Sequence, residues 1–145
     1  MADAIYSALW PLGRSTVTDI GAQPRIADLS RATIAHLSHY GFRHDEMRPV
    51  IEREMTARFP GIRFVGPEIF GNIHGPRHGK EALPVLAQRL AEQGVDAVIT
   101  GVGSCGTCTP AVVRASIVAE RAGFPSATIV ATAFLNQGRA NARGE

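Results

Sequence analysis

The feature that most constrains this chain is an alternation. Short apolar runs alternate with stretches of helical spacing, and glycine or proline separates them. Arg31 to Ser38 is the first strand-like run, and it leads into the turn signal Tyr40-Gly41. Ile62–Val65, Val95–Thr100 and Ala127–Thr132 are the others. Between the first two, Asp45 reads as the cap of a helix running to about Phe59. Met47, Val50, Ile51 and Met55 fall on one face, and Pro49 is tolerable near the first turn. Pro60-Gly61 ends it. The glycine-rich stretch Gly66 to Gly79 reads as a loop. Lys80 to Gln93 is a second helix, with Leu83, Leu86, Ala87 and Leu90 on one stripe and Gly94 as its stop. Thr109 reads as the cap of a third helix, with Pro110 in its first position and Gly123 past its end.

Strands that alternate with helices imply a parallel sheet with right-handed crossovers. The expected fold is α/β: a three-layer, Rossmann-like or flavodoxin-like domain with a four-stranded parallel sheet in the order 2-1-3-4. Such sheets bind ligands beyond the strands' carboxyl ends, where the order reverses. That places the crevice between strands one and three. Ser38-His39-Tyr40 should face Gly101-Val102-Gly103-Ser104-Cys105, and the loop carrying His74 and His78 should open on the same side. The expected organisation is an irregular arm at 1–30, with Trp10 isolated in it, an α/β domain at 31–135 and a polar tail at 136–145.

Composition narrows the function. At 145 residues the chain suits one domain, and its 45% hydrophobic and 19% charged content is ordinary for a globular protein. No run approaches the ~18 apolar residues of a membrane span. Met1-Ala2-Asp3-Ala4 has no signal-peptide character, so a cytoplasmic location is expected. The formal charge is +2, Lys80 is the single lysine and the arginines are scattered. A nucleic-acid surface would need basic residues in a cluster. The expected ligand is a small molecule, with neither nucleic acid nor membrane.

Cys105 and Cys108 are the only cysteines, three residues apart between a strand and a helix. Such a pair in a cytosolic chain reads as redox, catalytic or metal-binding. Gly101, Gly103 and Gly106 let the backbone approach a ligand closely. A helix N-terminus favours thiolate, the reactive form of the thiol. The second thiol can then release an adduct by closing a disulfide. The bland alternative is two small residues packing a turn. The same glycines satisfy G-x-G-x-x-G, but the helix starts too late for a pyrophosphate, and no acidic residue follows the next strand for a ribose.

His74 and His78 could join Cys105 and Cys108 as a zinc set, although Gly75-Pro76 keeps them off a helix. His39, just after strand one, is the better-placed general acid or base, and His36, inside the strand, reads as core. Tyr40 could donate to a substrate carbonyl or simply pack the loop. Gly103, Ser104, Gly106, Thr107, Thr109, Tyr40 and His74 are the candidate substrate-binding residues.

The segment Ser104-Cys105-Gly106-Thr107-Cys108-Thr109, followed by a helix ending Glu120-Arg121-Ala122-Gly123-Phe124-Pro125, resembles the UGSC-type selenocysteine/cysteine family. That group includes the selenoprotein of component B of glycine, sarcosine and betaine reductases. The resemblance implies a nucleophilic sulfur at Cys105 and a resolving thiol at Cys108. Proteins of the component B kind also carry a second α/β half. The resemblance therefore implies that a homo-oligomer or a second subunit completes the pocket.

The leading expectation is a cysteine-dependent reductase or lyase that cleaves a carbon–heteroatom bond. It would need no organic cofactor, only an external thiol reductant. A cysteine-dependent racemase, isomerase or decarboxylase of the aspartate/glutamate racemase type is one alternative. A non-catalytic metal-binding or redox-switch subunit is the other.

Overall fold

A computed structural model describes residues 21–75 and 77–144. The expected arm at 1–30 therefore lies largely outside the described residues. Four strands, β1 (Thr33–Ser38), β2 (Arg63–Val65), β3 (Ala97–Gly103) and β4 (Ser126–Val130), form one sheet in the order β2-β1-β3-β4. Every pairing is parallel. The order is the expected one.

The pleat assigns alternate side chains to opposite faces. Ala35 and Leu37 of β1 and Val98 of β3 join the larger core with Phe70, Leu86, Leu90, Val112, Ala115 and Ala119. Two helices cover that face: α3 (Leu86–Glu92) and α4 (Cys108–Arg121). Ile34 of β1 and Ala97 and Ile99 of β3 turn the other way, toward Met55 and Phe59 at the end of α1 (His44–Arg58). This gives three layers. A hydroxyl cluster seats α4 on the sheet: Thr100 Oγ1 lies 2.8 Å from Ser116 Oγ, which lies 2.6 Å from Thr128 Oγ1. At the far end of α4, burial works against ionisation of Glu120. Donors from the Gln23 amide, Arg25 and Ser126 outweigh it and hold the carboxyl below its usual range. That one side chain fastens residues 23–25 to the start of β4.

Several local expectations are corrected. Asp45 does not cap α1; Arg43 takes that position in a left-handed conformation, and Asp45 lies in the first turn. Val50 is exposed, and the inner side of α1 carries His44, Met47, Ile51 and Met55. The stretch 66–79 is not all loop. It holds a 3₁₀ turn at Pro67–Ile69 and the start of α2 (His78–Ala82). The helix expected over Lys80–Gln93 is interrupted by a 3₁₀ turn at Leu83–Val85, where Pro84 lacks the amide an α-helix needs. Gly94 and Gly123 take positive φ after α3 and α4, as helix stops do. The polar residues after Phe134 form α5 (Leu135–Gly144). Gly138 lets it approach closely: a Cβ there would lie 3.5 Å from Val130 and 3.6 Å from Thr109. No helix among the described residues is long and apolar enough to cross a membrane.

Candidate active site

Strand β3 continues through Gly101, Val102 and Gly103, residues whose glycines suggest a loop, with a shift in its pairing to β4 between Thr100 and Gly103. Gly103 is required by proximity. A Cβ there would sit 3.0 Å from the Thr109 Cα and 3.0 Å from Val112 Cγ2. Glycine thus allows the strand end to lie directly against the first turn of α4.

That turn begins at Cys108, one residue before the expected cap. Thr107 holds the cap position without a side-chain hydrogen bond, and Thr109 lies inside the helix, fully buried. Its hydroxyl has no hydrogen-bond partner among the described residues. A sulfur instead meets the first amide of the helix. Cys108 N–H donates to Cys105 Sγ at 2.9 Å, and Thr107 Oγ1 lies 3.4 Å from the same sulfur. Cys105 stands two residues before the cap, so its sulfur meets the first helical amide from outside the helix. No acidic residue lies in the first turn of α4, so the helix's positive end is directed at Cys105. Cys105 and Cys108 are joined in a disulfide, and both are half-buried.

The three expected loops converge on this turn. Ser38 is in register with Gly101, and Ile73 N–H donates to the Ser38 carbonyl at 3.3 Å. His39 is engaged at both ring nitrogens. Gly41 N–H donates to Nδ1 at 3.0 Å, so Nε2 carries the proton and donates to the Val102 carbonyl at 2.8 Å. His39 therefore meets the thiol loop at its backbone. The His74 ring lies 5.7 Å from that of His39. Tyr40 is exposed at φ 59°; partial desolvation and the Glu68 carboxylate raise its phenol above the usual value.

The structure does not assemble the zinc set of His74, His78, Cys105 and Cys108. Both sulfurs are spent in the disulfide, and no three His, Cys, Asp or Glu side chains come together among the described residues.

A cleft of about 580 Å³ adjoins the disulfide loop. Ile73, Leu83, Pro84, Pro110 and Ala111 give it an apolar floor. His74, Lys80, Thr107 and Arg114 supply its polar groups. A second cleft, of about 470 Å³, lies by Arg25, Ile34, Ala97 and Ser126, at the strands' amino ends. It has no cysteine or histidine, and the rule of carboxyl-end binding favours the first.

One feature escapes sequence reasoning, and a second goes beyond the core reading of His36. Gln137 of α5 donates from Nε2 to the Gly106 carbonyl at 2.8 Å, which ties a segment that reads as a tail to the cysteine loop. Behind β1, His36 and His44 are buried, and the Nε2 of each has no hydrogen-bond partner among the described residues. Burial, with help from Arg48 and His44, drives the His36 imidazole down to about 4. Glu52 Oε1 is 3.6 Å from it but is engaged by Arg48 at 3.1 Å, so it does little to offset that burial. Burial also lowers His44. The isolated histidine inside an apolar run was the available signal for His36; nothing comparable marks Gln137.

The family model of the UGSC family matches residues 7–145. No curated protein matches the chain.

Proposed function

The chain belongs to the UGSC family, and on that premise we propose that it is a thiol enzyme in which Cys105 attacks a small molecule and Cys108 resolves the adduct. The observation that carries this is the Cys105–Cys108 pair at the start of α4, with the Cys108 amide on the Cys105 sulfur. In the reduced protein that amide and the helix end stabilise a Cys105 thiolate.

The thiolate attacks the substrate carbon and forms a C–S bond. The carbon–heteroatom bond breaks, and the heteroatom leaves with its electron pair and takes a proton. Cys108 thiolate then attacks Cys105 Sγ. The C–S bond breaks, its electron pair stays on carbon, and carbon takes a proton. The net change converts R–X and two thiols into R–H, HX and one disulfide. Carbon gains two electrons and the thiols lose two. A carbanion-like leaving group requires an adjacent carbonyl on the substrate. An external thiol reductant resets the pair, which suits a reducing cytoplasm. Lysis without reduction would leave both thiols reduced, so the disulfide favours the reductive branch. The relation to the component B selenoprotein, and completion of the pocket by a second copy or subunit, belong to the same reading. His39 acts in it as a positioning residue for the loop, through Val102.

Intact mass measured on the reduced protein with candidate small molecules tests this. Cys108→Ser should accumulate a substrate adduct that maps to Cys105. Wild type should instead end as the disulfide and require reductant for further turnover. Full multiple turnover by Cys108→Ser would refute the resolving role.

A further inference from the structure

We infer that His74 is the acid that protonates the leaving heteroatom. This rests on the thiol reading of Cys105. In that reading the carbon–heteroatom bond breaks as the C–S bond forms, and a heteroatom such as oxygen leaves readily only if a proton meets it. The chain has five histidines, all of them among the described residues. His36 and His44 are buried behind β1. His39 has both ring nitrogens engaged by the backbone, at Gly41 and Val102, so its N–H is spent on the loop. His78 opens α2, exposed, outside the lining of the cleft. His74 is the one histidine that lines the cleft beside the cysteine loop.

Two segments wall that cleft. His74 and Leu83 belong to one side, and Thr107 and Pro110, at the start of α4, belong to the other. Thr107 Oγ1 lies 3.4 Å from Cys105 Sγ, which puts the sulfur beside the second wall. A displacement needs its nucleophile and its leaving group on opposite sides of the carbon. The two walls supply a sulfur on one side and an imidazole on the other. The His74 amide donates to Asn72 Oδ1 at 2.8 Å, which sets the backbone there. The ring lies 5.7 Å from that of His39, which its own two hydrogen bonds hold in place. Among the described residues, the charged or titratable groups facing it are Lys80 of α2, Arg114 of α4 and His39 after β1. An ammonium or a guanidinium keeps its proton through the neutral range, whereas an imidazole exchanges one there. In the step, the imidazolium N–H bond breaks and a bond from that proton to the heteroatom forms. The heteroatom departs with the electron pair of its bond to carbon. The ring is left neutral and regains a proton from water.

Two neutral alkylating amides test this on the reduced protein. Iodoacetamide loses iodide, which needs no proton. Glycidamide opens its epoxide, whose oxygen must take one. Rates mapped to Cys105, each divided by the rate with N-acetylcysteine at the same pH, give an epoxide-to-iodide ratio. In wild type the ratio should exceed that of the free thiol, and it should fall as pH rises and the imidazolium loses its proton. His74→Gln should lower the ratio by about tenfold or more, make it independent of pH and leave the iodoacetamide rate unchanged. An unchanged ratio in His74→Gln overturns the acid role, and so does a wild-type ratio equal to that of N-acetylcysteine. A parallel loss of both rates also overturns it, because the side chain would then support the thiol or the fold. The readout is a single alkylation of a reduced thiol. A protein that shows the ratio effect but no disulfide-forming cycle would therefore refute the thiol-enzyme reading alone.

Discussion

The turns that follow β1 and β3 occupy equivalent places, side by side at the crevice, and are built in opposite ways. The β1–α1 turn has Tyr40, Phe42 and Arg43 at positive φ, a conformation that costs side-chain-bearing residues on the order of 1 kcal/mol each or more. Its helix then starts with Asp45 and Glu46 in the first turn, which neutralise the helix's positive end. The β3–α4 turn uses glycine at the tight approach and offers its helix end to a sulfur, with no acid in the helix's first turn. One turn is strained and electrostatically closed. The other is open to an anion. The first supports the second, because His39 donates to the Val102 carbonyl at its base.

The largest expected effect separates chemistry from support. Cys105→Ser should abolish turnover, because an unactivated hydroxyl cannot replace a thiolate. His39→Ala should lower turnover by about tenfold without abolishing it, and His39→Gln, which keeps a side-chain donor, should recover part of the loss. Equal loss in both histidine variants would mean that the ring does more than hold the loop. Steady-state rates on the reduced proteins decide this.

Acid sensitivity should come from the strained side. His36 folds with its pKa lowered from 6.5 to about 4. Above pH 6.5 it is neutral in both states and adds no pH dependence. As pH falls from 6.5 to 4 the unfolded chain takes up the proton first, so stability falls, by about 3 kcal/mol at most. Denaturant midpoints should drop across that window, and His36→Gln should flatten the slope. His44, also lowered by burial, should leave a residual slope in that variant.

Gly103→Ala tests the close approach. The added methyl meets the Thr109 backbone and Val112 at 3.0 Å, so the start of α4 must move. A loss of about 1–3 kcal/mol is expected from chemical unfolding. The same change at Gly106, which has open space, meets no such contact.

How far the sequence was legible follows from the range of the interactions involved. The strand order came from alternation and crossover handedness, which act through the whole chain. The cysteine loop was legible because its residue types are rare and their spacing is local. The expected caps Asp45 and Thr109 each lie two residues past the actual cap. At α1 a left-handed Arg43 replaces a side-chain cap, and at α4 Thr107 makes no side-chain cap bond while a sulfur two residues earlier meets the first helical amide. Neither arrangement has a propensity signature. The helical character of 135–144 was hidden for another reason. Its low hydrophobicity is offset by contacts far away in sequence, at Gly106, Thr109 and Val130.

The smallest predicted effects come from exchanging the charge pattern of the two turns. Thr107→Asp places a carboxylate at the cap of α4, beside Cys105 Sγ. As a better cap it should raise stability by about 0.5–1 kcal/mol. As a like charge it should raise the Cys105 pKa and slow iodoacetamide labelling at neutral pH by about tenfold. Asp45→Asn removes an acid from the first turn of α1 and should cost about 0.3–1 kcal/mol. It should leave labelling of Cys105 unchanged. Stability and reactivity would then move in opposite directions at α4, while only stability moves at α1. If Thr107→Asp left Cys105 labelling as fast as in wild type, the helix end would not be what activates the sulfur, and the difference between the two turns would be structural alone.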